Sequence, residues 1–114
     1  MFDELKQLGV NTEDGIFRFM NNEDLYKRML IAFAEMVRGA QVTTEFDNKT
    51  YDKEIEKIHA LKGAAGNLSI EPLYIGYTEI VRLLREGNVA EAKAAITKIL
   101  PTQNQITECI EKHS

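Results

Sequence analysis

Tyr51-Asp52-Lys53-Glu54-Ile55-Glu56-Lys57-Ile58-His59-Ala60-Leu61-Lys62-Gly63-Ala64-Ala65-Gly66-Asn67-Leu68 reads as one amphipathic helix. Ile55, Ile58, Leu61, Ala65 and Leu68 recur at steps of three and four, the spacing that aligns one face of a helix. Thr50 is the expected N-cap, and Asp52 falls in the first turn beside the positive end of the helix dipole. The helix is expected to end near Asn67-Ser69. At about 100° per residue, Tyr51, Ile58, Leu61 and Ala65 gather on the buried arc. His59 then stands roughly 100° from the centre of that arc and is at least partly exposed. Asp52, Ile55, Glu56, Lys62, Gly63 and Gly66 stack along its own line.

The flanking chain carries the same period. A short helix is expected over residues 2 to 8, broken by Gly9-Val10-Asn11-Thr12. Asn11 or Thr12 caps a second short helix reaching about Met20. Asn22 caps a longer one to about Arg38, with Leu25, Tyr26, Met29, Leu30, Phe33 and Val37 on one face and Gly39 as its C-terminal cap. Residues 40 to 49 read as a loop. Pro72 belongs in the first turn of the next helix, where its missing N–H is harmless. Leu73, Tyr77, Ile80, Val81 and Leu84 form the apolar stripe there. Asn88, with Glu91 three residues on, marks a capping box for the last helix. Val89, Ala92, Ile96, Ile99, Ile106 and Ile110 line that helix. Pro101 should kink or split it, because it removes a backbone donor and crowds the Thr97 carbonyl. The sequence therefore predicts an all-α fold: an antiparallel up-down four-helix bundle with one or two short N-terminal helices, forming a single domain over residues 1–114.

With 114 residues, 44% of them apolar, the chain suits one packed core. No apolar run reaches about 18 residues, so no membrane span is expected. The N-terminus lacks the basic-then-apolar order of a signal peptide. A net charge of −4 gives no long-range pull toward nucleic acid. Cys109 is the one cysteine, which excludes an internal disulfide and fits a reducing cytoplasm. Monomeric behaviour is expected.

Enzyme signatures are missing: no GxxxxGK[ST] phosphate loop, no zinc-spaced Cys/His cluster, no HExxH. The many carboxylates read as a solvated surface. What stands out is the company of His59. Gly63 and Gly66 each lose about 1 kcal/mol against Ala in a helix interior. Beside an exposed imidazole they leave a bald patch that another protein can approach closely. Lys62 puts a positive charge where a phosphate on the ring would lie. An imidazole nitrogen is a competent nucleophile near neutral pH and forms labile adducts. Together these describe a phosphoryl-accepting histidine. The blander alternatives are an inert surface histidine, glycines that serve tight helix packing, and a solvated lysine. His113, without such company, and Cys109, as a half-buried packing residue, receive only the structural reading.

The segment His59-Ala60-Leu61-Lys62-Gly63-Ala64-Ala65-Gly66-Asn67-Leu68 resembles the active helix of histidine-containing phosphotransfer (HPt) domains, which carry His-x-Leu-Lys-Gly-Ser/Ala-Ala-Gly-x-Leu-Gly. Gly9-Val10, Gly15-Ile16, Arg18-Phe19, Leu25-Tyr26, Leu30 and Phe33 also stand where that family has similar residues. The resemblance spans roughly residues 9 to 100. The family commonly has Gly at the place of Ser69; serine suits a left-handed helix end less well, so this turn is expected to be built differently. The segment beyond Pro101 lies outside the resemblance and receives no role.

The resemblance implies a two-component His–Asp phosphorelay. His59 would be the phosphoacceptor, Lys62 would steady the phosphoryl group, and Gly63 would permit close docking. The implied partners are a sensor or hybrid histidine kinase and a response-regulator receiver domain. The receiver would bring the Mg²⁺ and the acceptor aspartate, so no cofactor and no resident metal is expected here. No kinase or ATP-binding module is visible, so the chain reads as a phosphocarrier and not as an enzyme with its own turnover. Met1 favours a free-standing protein over a piece of a hybrid kinase. Two other readings use the same helices: a module that docks a receiver without being phosphorylated, and a plain helical scaffold, whose mark would be an exposed apolar seam.

Overall fold

The computed structural model describes residues 1–114 and contains helices only: α1 (Phe2–Gln7), α2 (Thr12–Arg18), α3 (Glu23–Ala40), α4 (Asp52–Asn67), α5 (Glu71–Arg85) and α6 (Val89–Lys112). The molecule measures 43 × 24 × 22 Å. Helix α5 packs against both α4 and α6, and α3 packs against α4 and α6. The short α1 packs on α2 and α6, and α2 also touches α3. No helix is long and apolar enough to cross a membrane.

The apolar stripes meet in one core. Leu30, Phe33, Ile58, Leu61, Tyr77 and Ile80 are among its members. Fully burying one such aliphatic side chain contributes about 1.5–3 kcal/mol, so this shared interior is what holds the marginal individual helices. Met29, placed by its spacing on the inner face of α3, is 40% exposed. Ala34, one turn beyond Leu30, is buried in the core as well.

Helix ends follow the sequence in part. Asn11 Oδ1 accepts from Asp14 N at 3.1 Å and Asn22 Oδ1 from Leu25 N at 3.0 Å, so both asparagines cap as expected. Thr50 does not cap α4; Tyr51 holds the N-cap position and no side chain closes it. Asn88 stands at the N-cap of α6 without a side-chain bond, so no capping box forms with Glu91. Gly39 lies inside α3, and the left-handed residue that ends this helix is Gln41, with φ 51°. Helix α6 runs unsplit through Pro101 to Lys112. The buried Ile106 and Ile110 beyond the proline keep the segment packed despite the lost backbone bond.

Candidate functional site

Helix α4 presents the site. Ile58 and Leu61 are buried, 1% and 0% exposed, and anchor its inner face. His59, between them in sequence, is turned out to solvent. Lys62, one turn on, is half-buried, and Gly63 is exposed. Lys62 belongs to none of the ion pairs; on α4 the pair is Lys57–Glu54 at 3.0 Å. A Cβ added at Gly63 would meet no atom within 4 Å, so the space beside His59 and Lys62 is open.

The two glycines differ. A Cβ at Gly66 would lie 3.0 Å from the ring of Tyr74, so Gly66 lets α5 pack closely against α4. Only Gly63 leaves bare surface. Lys62, Gly63 and Gly66 line a groove of about 520 Å³ with Arg18, Asn67 and Tyr74. His59 lies outside its wall, one turn before Lys62 and Gly63. A second, more apolar depression of about 610 Å³ runs between α3 and α4, lined by Met29, Phe33, Met36 and Leu68. Arg18 and Asn67 border both.

The C-terminal end of α4 is fastened by α2 and α3. Ser69 adopts φ 58°, the left-handed turn that glycine would favour. The turn is thus not built differently. Serine is held there because its hydroxyl donates to Asp14 Oδ2 at 2.5 Å and its carbonyl accepts from Asn11 N at 3.0 Å. The Ser69 hydroxyl, and then the Arg18 guanidinium at 2.8 Å, hold the Asp14 carboxyl below the usual carboxylate range. Tyr26 Oη donates to the Leu68 carbonyl at 2.7 Å. Burial pushes that phenol up, so it remains a donor. A Cβ on Gly15 would collide with the Tyr26 ring at 2.4 Å, so α2 reaches this joint only because position 15 carries no side chain.

One grouping had no signature in the sequence. Glu4 of α1 meets Cys109 of α6 and His113, the C-cap residue of that helix, with His113 Nε2 3.1 Å from Glu4 Oε1 and Cys109 Sγ 3.8 Å from Glu4 Oε2. His113 therefore does have company, and Cys109 is 6% exposed, more deeply buried than its position suggested. The partners are 105 and 109 residues apart, beyond any spacing rule. The two depressions beside α4 are equally tertiary: the spacing pattern reached Lys62, Gly63 and Gly66 of one, but set Met29 of the other on the buried face.

No protein-family model matches the chain, and no curated protein or solved structure does.

Proposed function

We propose that this chain is a phosphocarrier of a His–Asp phosphorelay, accepting a phosphoryl group on His59 and passing it to a receiver domain. The observation that carries the reading is an outward imidazole in the middle of a well-anchored helix, with Lys62 one turn on and open space at Gly63. The proposed scaffold is an antiparallel up-down four-helix bundle of α3 to α6 with α1 and α2 packed outside it, working as a cytoplasmic monomer.

In the proposed step an imidazole nitrogen of His59 attacks the phosphorus of a receiver's phospho-aspartate. The N–P bond forms as the P–O bond breaks, and the aspartate leaves as a carboxylate. Onward transfer is the reverse step on another receiver. Charge on the moving group is offset by the receiver's Mg²⁺ and by Lys62. In-line attack needs the two proteins to approach closely, which a bare position 63 permits. The apolar depression holding Met29, Phe33 and Met36 offers the receiver a surface to bury. A histidine kinase is the alternative donor.

The test is incubation with a pre-phosphorylated receiver, followed by assay for acid-labile phosphate on this chain. Labelling is expected, and His59→Gln should abolish it while the melting curve stays unchanged. Full labelling of that variant, or phosphate on His113, overturns the assignment.

A further inference from the structure

We infer that Glu4, Cys109 and His113 form a binding site for a transition-metal ion of the Zn²⁺ class, which ties α1 to the C-terminal end of α6. The site stands on residues outside α4 and does not depend on the phosphorelay reading.

Carboxylate oxygen, thiolate sulfur and imidazole nitrogen are a donor set that suits Zn²⁺ and ions like it, and suits Mg²⁺ or Ca²⁺ poorly. The three donor atoms lie within 4.8 Å of one another. His113 Nε2 lies 3.1 Å from one carboxylate oxygen of Glu4, Oε1, and Cys109 Sγ lies 3.8 Å from the other, Oε2. Metal–ligand bonds of about 2.0–2.3 Å in a tetrahedron give donor separations of roughly 3.3–3.6 Å. The side chains therefore need only small adjustments to close on an ion. Cys109 lies in the last turn of α6 and His113, four residues on, is the C-cap residue of that helix, while Glu4 comes from α1. Three protein ligands leave the fourth position to water.

Access and competition are also visible. A depression of about 320 Å³, lined by Glu4, Glu108, Cys109 and Lys112, adjoins two of the three ligand residues. Lys112 Nζ lies 2.8 Å from Glu4 Oε2, so an arriving cation takes over a place that a cation already favours. Binding exchanges the Cys109 S–H bond for a sulfur–metal bond and releases that proton to solvent. His113 binds through the lone pair of Nε2, and Lys112 keeps its proton and withdraws from the carboxylate.

The experiment uses the full chain in a His59→Gln background, which leaves His113 as the one imidazole of the two in the sequence. Co²⁺ is titrated as the optical probe and Zn²⁺ as its competitor. One Co²⁺ per chain is expected, with a thiolate-to-cobalt charge-transfer band that excess Zn²⁺ removes. Glu4→Gln and His113→Ala should each weaken Co²⁺ binding by more than about tenfold, the scale of losing a partner in a metal site. The absence of the band, half an ion per chain, or unchanged affinity in both variants overturns the proposal. A second measurement needs no variant: Zn²⁺ should slow alkylation of Cys109 in the unaltered chain by more than about tenfold if the thiolate is a ligand. An unchanged alkylation rate also overturns it.

Discussion

A Cβ added at Gly63 meets nothing within 4 Å, whereas one at Gly66 meets the Tyr74 ring at 3.0 Å. The two glycines of one helix therefore answer to different demands, and substitution separates them. Gly63→Ala should stabilise α4 by up to about 1 kcal/mol, since alanine lowers the entropy lost on forming a helix. Gly63→Gln should melt no lower than the parent. Yet it should slow receiver-to-His59 transfer strongly, on the order of 10²-fold, because an ångström of misplacement in an in-line reaction weighs that much. A melting curve and a transfer rate on the one variant decide it: unaffected transfer means that docking does not use this face, and an unfolded variant means that Gly63 serves packing. Lys62 belongs to no ion pair of the fold, so its charge is available to a ligand. Lys62→Ala should slow transfer or shorten the phosphohistidine lifetime with little change in melting temperature; unchanged kinetics with a large loss of stability would make it structural.

Helix α2 is seven residues long, too short to persist alone. It is held by Asn11 and Asp14 on the turn at Ser69, and by Gly15 on Tyr26. Asp14 carries the pH dependence of this joint. Its carboxyl is held below the ordinary value of about 4 by the Ser69 hydroxyl and by Arg18. A depressed folded-state value means that the stabilisation is fully present above the unfolded value and is lost as pH falls below it. The melting temperature of the parent should thus drop more steeply below about pH 4 than that of Asp14→Asn, which should already melt lower at pH 7. Parallel acid limbs for the two proteins would show that the bond contributes nothing. The joint also marks where the sequence stops being informative. The helices were legible because each carries an apolar stripe at helical spacing, and the outward placing of His59 and Gly63 on α4 was legible because neighbours at three and four residues share a helix face. Asn11 and Asn22 capped as their chemistry suggests. Thr50 and Asn88 did not: Tyr51 takes the N-cap place of α4, and Asn88 holds that of α6 without a side-chain bond. Gly39 misled because α3 continues past it to a left-handed Gln41. The Asp14–Ser69 bond spans 55 residues, and no local pattern records it.

The residues after Pro101 lie outside the resemblance, yet they join three other parts of the molecule. Ile106 and Ile110 are fully buried. Gln103 accepts from Tyr77 Oη at 2.6 Å, within the core. Arg38 of α3 donates to both carboxylate oxygens of Glu111, at 2.8 and 2.6 Å. Lys112 reaches Glu4 of α1 at 2.8 Å. A chain ending at Leu100 would expose the apolar faces of α1, α3 and α5 that this segment covers and would leave the Tyr77 hydroxyl without its partner. The two isoleucines alone contribute about 1.5–3 kcal/mol each, against a total of roughly 5–15 kcal/mol for a domain. The truncated chain should therefore keep helical far-ultraviolet dichroism but lose the near-ultraviolet signal of its packed tyrosines and its cooperative melting transition. Ile106→Ala and Ile110→Ala, which leave the chain length intact, should each lower stability by about 2–5 kcal/mol, the range for a large aliphatic side chain removed from a core. A truncated chain that melts cooperatively at the parent's temperature would make the segment an appendage. With the expected result, the proline sits inside a helix whose far half closes the core, and the packing beyond it outweighs the backbone bond it removes.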